Sequence, residues 1–118
     1  MPKLMINANE VEVEEGKRLV LAIEESGVNI GHRCGGYAKC TTCRVEFQAG
    51  EPQQMTKAER DKLEERGLLG QYRLSCQILC DHEMHVVPQM TLESEGWSDT
   101  GPAPHEEITP DPEWIPAE

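Results

Sequence analysis

Aromatic residues are scarce in this chain: two Trp, two Tyr and one Phe among 118 residues. A core built from it must be mostly aliphatic, drawn from a hydrophobic fraction of 37%. Long apolar runs are missing as well, and nothing approaches the roughly eighteen consecutive apolar residues of a membrane span. The N-terminus, Met1-Pro2-Lys3-Leu4-Met5-Ile6, flows into strand-like sequence. It lacks the apolar stretch and small-residue cleavage site of a secretory signal and the Arg/Ser-rich helix of a transit peptide, so a cytoplasmic protein is expected. No repeat, Gly-x-Gly-x-x-Gly turn or P-loop is present, and Ser75 and Ser98 have no base beside them. Nucleophilic catalysis has no support.

Basic residues are absent from one part of the chain. Residues 93–118 hold eight acidic residues and no Lys or Arg, whereas residues 1–92 hold 14 acidic and 11 basic ones. Most of the formal charge of −11 therefore lies at the C-terminal end. Such a balance disfavours nucleic acid and anionic membranes and favours a partner with a basic face. The length suits one domain with a modest core. Residues 1–92 read as that domain. Residues 93–118, with five of the eight prolines and little periodicity, read as an acidic, Pro-rich extension, extended or disordered. Within it Ile108, Trp114 and Ile115 are expected to pin an extended tail to the domain.

Polar–apolar alternation over Lys3–Asn7 and Glu10–Glu14 predicts a hairpin. Leu19, Ala22 and Ile23 share one helical face, predicting a helix over Arg18–Ser26 that Gly27 ends. A strand is expected at Arg44–Gln48. Thr56-Lys57-Ala58-Glu59 fits a capping box, opening a helix that runs to about Arg66 and stops at Gly67. Alternation over Tyr72–Ile78 predicts a further strand containing Cys76, and Met84–Val87 a last one stopped by Pro88. Strands and helices in this order make an α+β pattern, a small mixed sheet packed on a helix.

Five cysteines are too odd a count for a complete disulfide framework, and clustered thiols in a reducing compartment point to metal binding or catalysis. Cys34, Cys40 and Cys43 form a C-x5-C-x2-C run, with Cys76 far downstream. Four thiolates suit a structural zinc or a two-iron cluster. Zinc sites usually read as two compact pairs, and only one pair here is compact. The plant-type cluster spacing, C-x4-C-x2-C with a distant fourth cysteine, differs only by one residue in the first gap. The cluster reading leads, with a zinc-stabilised, non-redox binding module as the alternative. Soft, anionic sulfur stabilises ferric iron and delocalises the transferred electron. Such a charged centre needs aligned dipoles around it. Gly35 and Gly36 allow the loop to turn backbone N–H groups toward the sulfurs, Ala38 keeps the approach close, and Thr41 and Thr42 can donate hydroxyl hydrogen bonds. Cys80 is either the fourth ligand in place of Cys76 or a buried structural thiol, the second being favoured.

Cys34-Gly35-Gly36, Cys40-Thr41-Thr42-Cys43-Arg44-Val45 and Arg73-Leu74-Ser75-Cys76-Gln77 together resemble the [2Fe–2S] ferredoxins, nearest the adrenodoxin/putidaredoxin branch, over about residues 1–90. The resemblance implies a β-grasp (ubiquitin-like) fold and cluster ligation by Cys34, Cys40, Cys43 and Cys76. It also implies one-electron carriage, with no substrate chemistry, by a monomer. Electrons would pass from a flavin-containing ferredoxin reductase to an acceptor such as a cytochrome P450, another oxygenase or the iron–sulfur assembly machinery. The helix bearing Glu59, Asp61, Glu64 and Glu65 occupies the place where this branch docks its partners. Lys57, Arg60, Lys62 and Arg66 dilute that acidity, Arg44 stands where many relatives carry His, and the tail has no counterpart.

Overall fold

The computed structural model describes residues 2–32, 35–36, 38, 41–98, 100–101, 104–108 and 112–117. Strands β1 (Lys3–Ile6) and β2 (Asn9–Glu12) form the expected hairpin, turning through Asn7 at φ 57°. Asn tolerates that left-handed conformation better than most side chains. After the short strand β3 (Lys17–Arg18), helix α1 spans Leu19–Glu25 and buries Leu19, Val20, Ala22 and Ile23. Each large apolar side chain removed from water there contributes about 1.5–3 kcal/mol. Gly27 follows the helix at φ 104° and ends it.

Strand β4 (Arg44–Ala49) is followed by β5 (Gln54–Thr56) and helix α2 (Lys57–Glu65). The Thr56 hydroxyl caps α2 by accepting from the Glu59 N–H at 3.1 Å. The chain continues through β6 (Arg73–Leu74), a 3₁₀ turn at Ser75–Gln77, β7 (Leu79–Cys80) and β8 (Met84–Pro88). The main sheet has the order β2-β1-β8-β4-β6, with β8 parallel to β1 and its other pairings antiparallel. Leu4, Ile6, Val45, Met84 and Val86 of this sheet share one core with α1. Two smaller antiparallel pairs, β3–β7 and β5–β9, flank it, β9 being Trp114–Pro116. A sheet packed on a helix is the α+β arrangement expected.

Two expectations need correction. Residues 72–78 are not one strand, because the Ser75 N–H and hydroxyl both donate to the Cys43 carbonyl, at 3.2 and 2.7 Å, and curl the backbone into the 3₁₀ turn. Nor is the C-terminal extension disordered where it is described. Helix α3 (Leu92–Glu95) carries a reciprocal Thr91–Ser94 capping box, and β9 pairs with β5. Ile108 is buried and Ile115 packs against the core, as a pinned tail requires. Trp114 pairs with Thr56 in the β5–β9 ladder, while its side chain stays 42% exposed.

Candidate metal centre

Cys34 and Cys40 lie outside the described residues. The described part of the loop is unusual in its backbone. Gly35, Gly36, Ala38 and Thr41 all have positive φ, at 75°, 85°, 60° and 57°. Curled backbone of this kind gathers successive N–H groups into an anion-binding concavity. For Thr41 the conformation is strained, since a β-branched side chain crowds its own backbone there. Arg44 braces it: Nε donates to the Thr41 carbonyl at 3.0 Å and Nη2 to its hydroxyl at 2.8 Å. The Arg44 guanidinium in turn lies 5.9 Å from the Tyr72 ring centre. Thr41 and Thr42 are both buried rather than facing solvent.

Cys43 and Cys76 come together through the Ser75 hydrogen bonds to the Cys43 carbonyl, and both thiols are buried. Gln77 is the neighbour the sequence reading missed. Its Nε2 lies 3.6 Å from Cys76 Sγ, within reach of an N–H···S bond, and 3.5 Å from the Gly36 carbonyl. Its Oε1 accepts from the Thr56 hydroxyl at 2.7 Å. The cap of α2 thereby orients an amide donor onto a cysteine sulfur. The signal was available in the phrase Ser75-Cys76-Gln77, where a polar residue follows a ligand candidate directly.

Cys80 is buried in the β3–β7 pair, in register with Lys17. Burial pushes its thiol up to about 12. The structural role expected for it agrees with that placement. Among the described residues no three His, Cys, Asp or Glu side chains gather as a metal site. Beside the loop, His32 is 3% exposed and its Nδ1 has no hydrogen-bond partner among them.

The acidic helix is sorted by burial. Asp61, Glu64 and Glu65 are exposed, and Lys62 holds the Glu65 carboxyl below its ordinary value from 3.0 Å. Glu59 is a correction: it is fully buried and cannot meet a partner. Its carboxylate accepts from Arg73 Nε at 2.8 Å and from the Leu74 N–H at 2.8 Å. Burial pushes that carboxyl up, against the pull of Arg73 and Leu74. The capping box is only half formed for the same reason, because the Glu59 side chain turns inward instead of back to Thr56.

Residues 4–81 match the 2Fe-2S iron-sulfur cluster binding domain. The chain belongs to that family. A similar protein, 2Fe-2S ferredoxin-5 of Aquifex aeolicus, is 35% identical over 92 residues, covering 74% of this chain and 96% of that one. One component of the Na(+)-translocating NADH-quinone reductase of Chlamydia pneumoniae is 35% identical over 104 residues, which cover 83% of this chain. This ferredoxin-type chain spans about a quarter of the length of such components, 23% in that case. Among solved structures it resembles an ISC-like [2Fe–2S] ferredoxin from Pseudomonas putida, with TM-score 0.63 and 25% identity over 74% of this chain and 91% of the other. It also resembles a chain of the covalent putidaredoxin reductase–putidaredoxin complex, with TM-score 0.56 and 26% identity over 73% of this chain and 96% of the other. The fold is thus the β-grasp of the [2Fe–2S] ferredoxins, and the cofactor is a [2Fe–2S] cluster. The protein itself fits that group: two buried soft sulfur donors, Cys43 and Cys76, sit on segments that Ser75 ties together, beside a loop with positive φ at Gly35, Gly36, Ala38 and Thr41.

Proposed function

We propose that Cys34, Cys40, Cys43 and Cys76 hold the cluster and that the chain, a ferredoxin-like electron carrier, works without substrate chemistry of its own. The observation that carries the ligand assignment is the tie between the Cys43 carbonyl and Ser75, the residue before Cys76, whereas Cys80 lies further along the chain in the β3–β7 pair. When bound, the cluster supplies reversible one-electron transfer. The residues around it shape that chemistry. The loop curls through positive φ at Gly35, Gly36 and Ala38, Arg44 holds Thr41 in its strained conformation, and Gln77 offers an amide N–H to Cys76 Sγ. Each favours the added negative charge of the reduced state.

Residues 1–92 form the carrier domain in this reading, with 93–118 as its extension. The donor is a flavin-containing reductase, a role supported by the likeness to a chain of a reductase–ferredoxin complex. The acceptor is an oxygenase, a cytochrome P450 or an iron–sulfur assembly protein. Asp61, Glu64 and Glu65 supply the exposed acidic face for a basic partner. No helix among the described residues is long and apolar enough to cross a membrane, and a cytoplasmic monomer is the form proposed.

The test is a visible absorption spectrum with iron, zinc and acid-labile sulfide analysis. Two irons and two sulfides per chain are expected, retained in Cys80→Ser and lost in Cys76→Ser. One zinc with no labile sulfide would overturn the carrier reading. A cluster kept by Cys76→Ser and lost by Cys80→Ser would overturn the ligand set.

A further inference from the structure

Arg18 begins the segment that enters α1, yet its side chain is fully buried and does not cap the helix. Among the described residues its guanidinium donates to four backbone carbonyls on three separate stretches of chain. Nε donates to Cys76 O at 2.6 Å, Nη2 to Gly36 O, and Nη1 to His105 O at 2.9 Å and Glu107 O at 3.2 Å. These bonds use four of the five N–H groups of the side chain. Gly36 belongs to the cluster loop, Cys76 is the distant ligand, and residues 105 and 107 belong to the C-terminal extension.

The extension lies against that loop independently of Arg18. A Cβ on Gly31 would fall 2.7 Å from the Trp97 ring, so the indole rests on that glycine. The His32 N–H donates to the Thr100 carbonyl at 2.9 Å, and the Thr100 hydroxyl meets His32 Nε2 at 3.2 Å. A Cβ on Gly36 would come within 3.0 Å of Pro104 and 2.7 Å of Arg18 Nη2, at a φ of 85° that already favours glycine. Trp97, Thr100 and Pro104 therefore cover Gly31, His32 and Gly36, and Ile108 of the same extension is buried, at 5% exposure.

We propose that Arg18 is a positioning residue of the metal centre. It clamps the loop at Gly36, the turn at Cys76 and residues 105–107 together, so that the extension covers the cluster loop and a fixed positive charge stands beside the centre. This rests on the four-cysteine ligand set proposed above. A cation held in a low-dielectric interior favours the more negative, reduced state and so raises the midpoint potential. The cover limits access of water and chelators. Lysine can keep the charge, but its single ammonium cannot span four carbonyls on three segments as a planar fork does.

Charge and fork separate experimentally in the full chain, read by redox titration and by the rate at which EDTA bleaches the visible absorption. Arg18→Met is expected to lower the midpoint potential and to bleach roughly tenfold faster or more, the scale set by losing one hydrogen bond to a charged group. Arg18→Lys should hold the potential close to wild type while bleaching fast. Ile108→Asp, which leaves Arg18 in place, should bleach fast with a smaller change in potential than Arg18→Met. An unchanged potential in Arg18→Met, or wild-type bleaching in Ile108→Asp, overturns the proposal. Should the Arg18 variants assemble no cluster, the Ile108→Asp rate alone decides in the same sense. A colourless wild type would overturn the centre and the clamp together, whereas a coloured wild type with unaffected variants overturns the clamp alone.

Discussion

Arg73 donates Nε–H to Glu59 Oε2 across 2.8 Å, in a pair from which water is excluded on both sides. The same guanidinium donates to the Pro52 and Gln54 carbonyls, each at 2.9 Å. Glu59 lies in α2 and Arg73 in β6, so the pair fastens the helix to the strand that leads into the Cys76 turn.

Removing Glu59 leaves the buried Arg73 guanidinium with the longer contact to the exposed Glu51, at 3.4 Å, in place of its buried partner. Glu59→Ala is expected to destabilise the protein by about 3–5 kcal/mol, as breaking buried ion pairs does. The exposed neighbour change Asp61→Ala should stay within about 0.5 kcal/mol. Urea midpoints of the two variants, measured on cluster-loaded protein, check the contrast.

Gln77→Leu keeps the bulk of the side chain but removes its donor to Cys76 Sγ and the acceptor of the Thr56 hydroxyl. The expected outcome is a midpoint potential below wild type, because an N–H···S bond stabilises the reduced centre. Redox titration followed at the visible absorption bands measures it. An equal or higher potential would show that the Gln77 amide does not tune the centre.

Gly50 sits at φ 75°, with Glu83 O 2.2 Å from where a Cβ would be. Gly50→Ala therefore combines backbone strain with a collision that no side chain can relieve. A loss of at least about 2 kcal/mol is expected, seen as a fall in Tm of roughly 10 °C for a domain of this size.

His82 is held above its ordinary pKa, first by its hydrogen bond to the Gly50 carbonyl at 2.7 Å and then by Asp81 at 2.5 Å. The charged ring donates from both nitrogens, so its contribution is present in full below about pH 6.5, the ordinary histidine value. It is lost as pH rises through the raised folded value. Because the ring is 41% exposed, the effect on stability is modest. NMR titration of the His82 ring should give a midpoint above that of His82 in urea-unfolded protein, and Asp81→Asn should bring it down.

Most of the frame was legible in the chain. The hairpin, α1, β4, α2 and β8 follow from alternation, helical spacing and punctuating glycines, because these elements bury one face and pattern records burial. What was not legible depends on contacts distant in sequence. The turn at Ser75–Gln77 is dictated by the Cys43 carbonyl, thirty-two residues away from Ser75. Glu59 reads as a surface charge on its own helix, and only Arg73, fourteen residues on, explains its burial. The extension looked unstructured because its order comes from Arg18, His32 and β5 rather than from any periodicity of its own.

The parallel pairing of β1 with β8 bears on how the chain is made. Leu4 and Ile6 find parallel partners in Met84 and Val86, so the first strand synthesised waits for the last strand of the sheet. Pairings this remote fold slowly, since a long loop must close before any ladder bond forms. By then Cys34, Cys40 and Cys43 have all been made. The cysteine loop emerges from the ribosome ahead of the strand that closes the sheet, and its thiols await that strand.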